Sequence, residues 1–332
     1  MHSVGIVLHP RRDSAEAVDA ILAWAARGGV DVFGIGDEIA RLNCAAKAVS
    51  AGELARRSDL LVSIGGDGTM LRAMRLADGQ RAPVLGVNLG KLGFLAEVDV
   101  PELPAALSAI DAHEFTTEPR LAIDCYVGDP DGVDGGVDGA GGVDGVDGVD
   151  GVDGVDGADG VDGKRATAFN DIAVVRVPGD QLAAVAVHAG GQPFVSYVAD
   201  AVIVATPTGS TAYSFSAGGP IVSPAVEALL VTPASPHSAY NRGVVLSVGD
   251  TVSLQLLPGS GTLAIEVDGR VAGHASPGDY LDITVRPAAA RVVRLGHTTF
   301  YQRARRKLGI SDSAEISHQV TPLSLKKTSS EV

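Results

Sequence analysis

The sequence predicts two architectures in one chain: a Rossmann-like α/β domain built on a parallel sheet, followed by an all-β domain of the sandwich type. Three observations carry this. Strand-like and helix-like hydrophobic periods alternate over residues 1–118. From Arg120 onward, short β-branched and apolar runs recur, punctuated by Gly, Pro and Asp. The two textures meet near a low-complexity segment that belongs to neither. Alternating strands and helices favour a parallel sheet covered on both faces, whereas serial short strands favour packed antiparallel sheets.

In chain order, residues 4–8 form an apolar strand. Residues 15–27 place Val18, Ile21, Leu22 and Ala25 at helical spacing and end at Gly28-Gly29. Strands follow at 30–35 and 60–64, then a helix at 69–77, a strand at 84–87 and a helix at 102–112. The β-rich part contributes strands at 121–127, 168–175, 183–188, 201–205, 244–247, 251–257, 263–267 and 280–285. Residues 300–308, with Arg303, Arg305, Arg306 and Lys307, read as a short basic helix, and residues 312–332 as a flexible tail.

The formal net charge of −14 comes mostly from residues 128–163, which hold eleven Asp and no Lys, Arg or Glu. The rest carries 29 acids against 26 bases, which leaves no basic footprint for nucleic acid. Residues 143–163 are six Val-Asp-Gly tripeptides and one Ala-Asp-Gly. Such a segment has little apolar surface to bury and repels itself, so it is expected to be a disordered acidic insert. No apolar run approaches bilayer length, and the first residues read as a strand; a cytoplasmic protein without a membrane partner is expected. The two cysteines, Cys44 and Cys125, lack metal-ligand spacing and are read as reduced thiols.

Two motifs carry chemistry. Residues 61–70 run from an apolar strand into Gly65-Gly66-Asp67-Gly68-Thr69 and then a helix. Glycines let a backbone approach phosphate, and a helix start offers free N–H groups. A carboxylate at that point suggests proton handling or metal binding, hence phosphoryl transfer. The plain alternatives are a glycine-rich βα turn and Asp67 as a helix cap. Neither a P-loop nor a G-x-G-x-x-G fingerprint occurs here. The second motif spans Asp200 and the run Thr206-Pro-Thr-Gly-Ser-Thr-Ala-Tyr213, continuing Ser-Phe-Ser-Ala-Gly-Gly-Pro220. It gathers many short hydroxyl groups after an apolar strand; its alternative is a Ser/Thr-rich loop capping a helix.

Four blocks together resemble the NAD kinase family. They are Gly65–Thr69; Gly86-Val-Asn-Leu-Gly-Lys-Leu-Gly-Phe-Leu95; Asn170-Asp171; and Thr206–Tyr213 with its tail. Pro236-His237 to Arg242 and Val267-Asp268-Gly269 match more weakly. The Gly-Gly-Asp-Gly-Thr loop alone is shared with lipid and sugar kinases; the Thr-Pro-Thr-Gly-Ser-Thr-Ala-Tyr run with an Asn-acid pair is far more specific. The resemblance implies an NAD kinase-like fold, with the C-terminal segment 297–311, which holds the basic helix, returning to the first domain and NAD bound by residues 119–296. It implies phosphorylation of the adenosine ribose of NAD by ATP, or by inorganic polyphosphate, with Mg²⁺ or another divalent cation whose ligands the sequence does not identify. It implies Asp67 as the catalytic residue and Gly66, Gly68, Thr69 and Arg72 at the phosphates. Asn170, Asp171, Asp200, Thr211, Ala212, Tyr213 and Ser216 are implied NAD contacts. A homodimer or homotetramer is implied by the same analogy.

Three positions depart from the family pattern. Asp171 stands where Glu is usual, Ala201 where Gly follows the aspartate, and Gly243 where Pro is common. If residue 201 needs positive φ, Ala would cost on the order of 1 kcal/mol. These departures imply a divergent member, and they leave room for a non-catalytic NADP(H)-binding paralogue beside the active kinase.

Overall fold

The computed structural model of the chain describes residues 1–90, 93–128, 165–296 and 298–311. The Val-Asp-Gly repeat and the tail from residue 312 lie outside the described residues. Five parallel strands form the first half of a large sheet. Their order across it is Val84–Asn88, Leu60–Gly65, Ser3–Leu8, Asp31–Ile35 and Lys47–Val49. Val4, Ile6 and Leu8 point to one face and pack with the helices Ala15–Gly28 and Leu103–Asp111. Val7 points to the other face, with Leu61 and Val84, under Met70, Leu71 and Met74 of the helix Asp67–Ala77. The period of two in the strands and the helical spacing of these residues thus build one core on each face.

The sequence reading missed the helices Gly36–Leu42 and Ala51–Leu54 and the strand Lys47–Val49. The strand that carries the Gly65–Thr69 loop is therefore the fourth of the chain, not the third. The missed pieces are three to seven residues long, too short to show a period.

Beyond the parallel strands the large sheet turns antiparallel. Tyr280–Arg294 pairs along nearly its whole length with Thr116–Gly128, and its Val292 pairs in parallel with Val84. A register shift between Arg286 and Ala290, with Ala288 at φ 50°, bends this strand in the middle. Its first half, with Leu281 and Ile283, joins the β-rich core; its second half, with Ala290 and Val292, joins the core beneath the helix Asp67–Ala77. The sandwich is thus not a separate module: one of its sheets continues into the parallel sheet. The second sheet has six antiparallel strands, ordered Val244–Ser247, Ala228–Ala234, Ala201–Ala205, Asp171–Arg176, Leu263–Val267 and Arg270–Ala275. Its Ile172, Val174, Val202, Val204 and Leu229 meet Val185, Tyr197, Leu254 and Leu281 of the large sheet. The sequence reading missed the strands Gln192–Ala199, Ala228–Ala234 and Arg270–Ala275. Pro233 argues against a strand in sequence, yet it sits beyond the last residue paired to Val244–Ser247, where no ladder donor is required.

The C-terminal helix Phe300–Leu308 starts with a capping box made by Thr299 and Gln302 and ends at Gly309 in the left-handed region. It is anchored on the first domain by Arg303, whose Nη1 donates to Glu97 Oε2 at 3.0 Å; Arg294 donates to the same oxygen at 2.9 Å. Leu295 N–H completes the shell of Glu97, whose side chain is wholly buried. Nearby, burial works against the charge on Glu118, but Arg120 and Arg294 outweigh it and hold its carboxyl down to about 2. Burial pulls Arg120 down to about 10.

Candidate active site

The loop after Leu60–Gly65 is built by exclusion. A Cβ at Gly65 would stand 2.2 Å from Thr69 Oγ1, so that position must be glycine; Thr69 is buried against it. At Gly66 and Gly68 a Cβ would meet nothing within 4 Å, so their backbone faces open space. Gly66 is the N-cap of the helix Asp67–Ala77 and Asp67 its first residue. The cap role for Asp67 is not realised, because that helix end has no side-chain cap bond.

The Asp67 carboxylate instead turns to the segment after Val84–Asn88. Phe94 N–H donates to Oδ2 and Leu95 N–H to Oδ1, both at 3.1 Å. Lys307 of the C-terminal helix donates to Oδ2 at 2.9 Å. A Cβ on Gly93 would stand 2.2 Å from Asp67 Oδ1, which explains the last glycine of the Gly86–Leu95 block. Oδ2 thus takes two donors and Oδ1 one, so Oδ1 keeps a lone pair for a further hydrogen bond.

Arg72 lies one turn into the same helix and pairs with Glu38, whose Oε2 accepts Leu8 N–H at 2.8 Å. The structure directs Arg72 towards that carboxylate rather than leaving it to a phosphate alone. Arg75, further along, reaches the other sheet: its Nη1 donates to Asp268 Oδ2 at 2.8 Å.

Asp268 is the hinge of the second half of the site. It lies in the left-handed region at φ 48°, and its carboxylate accepts the backbone N–H groups of Phe169, Asn170 and Asp171 at 3.3, 2.7 and 3.4 Å. Asn170 and Asp171 therefore do not form a self-bonded turn. Asn170 C=O accepts Thr206 N–H at 2.8 Å, Thr206 Oγ1 donates to Phe169 C=O at 2.6 Å, and Gly209 N–H donates to Thr206 Oγ1 at 3.1 Å. A Cβ on Gly209 would stand 2.0 Å from the Asn170 carbonyl oxygen. The Asn-acid pair and the hydroxyl-rich run are thus one interlocked unit.

Asp171 is buried, and burial, then Asp268 and Glu266, push its carboxyl up to about 7 against a bond from Tyr213 N–H. Burial also raises Asp268, but a guanidinium and three N–H groups favour its charge. Both carboxyls are thus raised, but Asp268 has four partners that favour its anion, whereas Asp171 has the single bond from Tyr213 N–H. Tyr213 packs on the outer face of the six-stranded sheet with Ala173, Ala201 and Ile203, and burial, then Glu266, Asp200 and Asp171, raise its phenol. Thr211 Oγ1 donates to Thr208 C=O at 3.4 Å, Ala212 is the link between two short helices, and Ser216 is exposed on the second. Thr208 and Thr211 share one cleft with Phe94, Leu95 and Phe300, so this run faces the segment that grips Asp67.

Asp200 is not brought to Asp171. It lies at the opposite end of the strand Ala201–Ala205, about 15 Å along it, and pairs with Arg176 at 2.5 Å. Ala201 is buried in regular antiparallel pairing with Val175 and Ala234 and is absent from the residues with positive φ, so the strain expected there does not exist.

The ATP-NAD kinase C-terminal domain family matches residues 169–295, and the ATP-NAD kinase N-terminal domain family matches residues 45–115. NAD kinase 1 of Streptomyces avermitilis is 38% identical over 327 residues, covering 96% of this chain and 91% of that protein. The chain belongs to the NAD kinase family. The NAD kinase of Desulforamulus reducens is 33% identical over 309 residues, or 93% of this chain and 97% of that protein. Two solved structures share the fold. Yeast NADH kinase complexed with NADH superposes with a TM-score of 0.74 at 24% identity, over 94% of this chain and 89% of that one. An NAD kinase from Archaeoglobus fulgidus in complex with ATP gives 0.63 at 22%, over 92% and 97%.

Sequence reasoning missed several residues of this family member's site. Glu38, the partner of Arg72, comes from a helix that was not predicted. Lys307 was visible only as one charge of a basic helix. The Asp268 contacts were signalled weakly, by Val267-Asp268-Gly269.

Proposed function

We propose that this protein transfers the terminal phosphoryl group of ATP to the 2′-hydroxyl of the adenosine ribose of NAD, giving NADP. The observation that carries this is the fixed Asp67 carboxylate with one lone pair free on Oδ1, tied through Arg75 and Asp268 to Asn170 and Asp171.

In this reading Asp67 Oδ1 accepts the ribose hydroxyl proton as that oxygen attacks the terminal phosphorus. The new ribose O–P bond forms, the bond from phosphorus to the bridging oxygen breaks, and ADP leaves. Lys307 and the Phe94 and Leu95 amides hold the carboxylate so that it points at the hydroxyl. The backbone at Gly66, Gly68 and Thr69 takes phosphate oxygens, and Arg72 supports the helix start through Glu38. Asn170 and Asp171 take the adenosine, the first through its amide and the second through ribose hydroxyls. Tyr213, Thr211, Ala212 and Ser216 form the adjoining wall. Asp200 takes a more distant part of the dinucleotide.

A divalent cation such as Mg²⁺ belongs to this reading as the companion of the donor phosphates. Among the described residues, no three His, Cys, Asp or Glu side chains converge to hold a metal ion. A cytoplasmic location and a homodimer or homotetramer complete the proposal; among the described residues no helix is long and apolar enough to cross a membrane. A lipid or sugar kinase would share only the Gly65–Thr69 loop, and the matches to both NAD kinase domain families speak against it.

The test is NADP formation from NAD, Mg²⁺ and ATP, repeated with polyphosphate and with Asp67→Asn. Turnover falling by about 10²–10⁴ in the variant is expected for loss of a general base. A folded protein that binds NADP(H) but turns over neither donor would sink the kinase reading in favour of a binding paralogue.

A further inference from the structure

We propose that the turn His9-Pro10-Arg11-Arg12 is the docking point for the phosphoanhydride chain of the phosphoryl donor. The proposal rests on the kinase reading above and adds a binding element that the sequence motifs do not contain.

The argument starts from topology. The strands Ser3–Leu8 and Leu60–Gly65 are parallel neighbours, but the chain leaves them in opposite directions across the sheet. One leads to Asp31–Ile35, the other to Val84–Asn88. At such a switch point the connections diverge and leave a crevice outside the carboxyl ends of the strands. Two segments emerge into this crevice: Gly66-Asp67-Gly68 and His9–Arg12. His9 N–H donates to Ile64 C=O at 2.9 Å, so the second begins directly beside the first.

The turn is pre-shaped. His9 Nδ1 accepts the backbone N–H groups of both Arg11 and Arg12 at 3.0 Å, which requires an unprotonated Nδ1. Burial, then Arg12, Arg41 and Arg11, lower the imidazole's proton affinity and keep it an acceptor. Arg41 Nη2 donates to His9 C=O at 2.7 Å and brings a third guanidinium to the same turn. Arg12 Nη1 lies 3.2 Å from where a Cβ on Gly90 would stand, and the neighbouring Leu89 N–H donates to Gly65 C=O at 3.0 Å. The Arg12 guanidinium therefore lies against Gly90, one residue past the Leu89 that is tied to Gly65.

The charge balance at this turn is the second argument. Arg75, Arg120, Arg165, Arg176, Arg286, Arg294 and Arg303 each pair with a carboxylate. Among the described residues, Arg11, Arg12 and Arg41 have no such pair, although Arg41, from the helix Gly36–Leu42, joins the two others around one turn. Like charges so arranged repel, and a linear polyanion relieves this with charge-assisted, bidentate bonds. The adjoining cleft lined by Asp13, Glu16 and Asp99 is acidic and unsuited to phosphate, which leaves the arginine side and the open backbone of Gly66 and Gly68 as the seat. The shared ligand chemistry is a chain of at least three phosphates, from a nucleoside triphosphate or from inorganic polyphosphate.

The experiment uses the full chain with Arg11→Ala, Arg12→Ala, the double variant and Arg12→Lys. KM is measured for ATP, for polyphosphate and for NAD, and binding of inorganic tripolyphosphate is followed by calorimetry over a range of salt. Each alanine is expected to raise donor KM about tenfold, leave the KM for NAD unchanged, and weaken tripolyphosphate binding and its salt dependence. Arg12→Lys should recover part of the loss. Equal effects on both donors assign the turn to the phosphate chain, whereas an effect on ATP alone, with tripolyphosphate binding intact, would overturn it. Unchanged donor KM in the double variant would overturn it too. If the unaltered protein turns over neither donor, the kinase reading fails, while loss of tripolyphosphate binding in the double variant still decides the docking point.

Discussion

Lys307 Nζ stands 2.9 Å from Asp67 Oδ2 and 4.4 Å from the centroid of the Phe94 ring. A residue near the end of the described chain thus touches the carboxylate proposed as the base, over a separation of 240 residues. The contact is partly exposed, so its contribution to stability is small, up to about 1 kcal/mol. Its contribution to orientation is larger, because it fixes which oxygen of Asp67 stays free. Lys307→Met is expected to lower kcat about tenfold with little change in the KM for NAD and a melting temperature within a few degrees of the unaltered protein. A kcat equal to that of the unaltered protein would show that Phe94 and Leu95 alone hold the carboxylate.

Gly93→Ala tests the other side of the same carboxylate. The added methyl would stand 2.2 Å from Oδ1, the oxygen with the free lone pair. Asp67 must rotate or the 93–95 backbone must withdraw, and either change breaks the two amide contacts. Displacement by about 1 Å costs on the order of 10²-fold in rate, while overpacking costs about 1–3 kcal/mol in stability. Steady-state kinetics with a thermal melt separates the two, and retention of more than half the activity would contradict the geometry.

Much of this was legible in sequence because the local signals agree with the global fold. The alternation of residues 4–8, 15–27 and 30–35 is strong, and the strand-to-glycine-to-helix transition at 60–77 marks the Gly65–Thr69 loop as a candidate site without any contact information. What stayed illegible depends on partners distant in sequence. Glu38 and Arg72 are 34 positions apart, Arg75 and Asp268 are 193 apart, and no periodicity connects them. The bend in Tyr280–Arg294, which carries the antiparallel part of the large sheet into its parallel strands, is likewise invisible, since Ala288 is not a residue that announces positive φ. The arginines of the His9–Arg12 turn belong to no sequence motif; the bond from His9 to Ile64 at the switch point is what brings the turn to the loop at Gly66.

Asp171 gives a pH signature. Its carboxyl lies at about 7 in the folded protein against an ordinary value of 3.8, chiefly through burial. The folded state therefore binds this proton more tightly than the unfolded chain. Its contribution favours folding at low pH and is lost as pH rises through the window from 3.8 to about 7. The ligand-free protein should lose stability across that window, and Asp171→Asn should flatten the slope because the amide carries no titrating proton. NAD binding should strengthen from pH 6 to 8 as the carboxylate becomes a pure acceptor for ribose hydroxyls. Melts at intervals of half a pH unit, with NAD titrations at pH 6 and 8, test both statements; parallel slopes in the two proteins would refute the assignment of the proton to Asp171.

Ala201 decides how the departures from the family pattern should be weighed. Its methyl is wholly buried in the middle of the six-stranded sheet, packed with Ala173 and Ile203 beneath Tyr213. The backbone there is a regular strand without positive φ, so glycine relieves no strain and only adds flexibility to the unfolded chain. Ala201→Gly is therefore expected to destabilise the protein by about 1 kcal/mol and to raise the KM for NAD slightly by loosening the support of Tyr213, with no gain in kcat. A more stable or faster variant, measured by denaturant unfolding and NADP formation, would mean that residue 201 limits this enzyme. The expected loss would leave Asp171, with its shorter side chain and raised proton affinity, as the departure to revert next at the proposed nucleotide site.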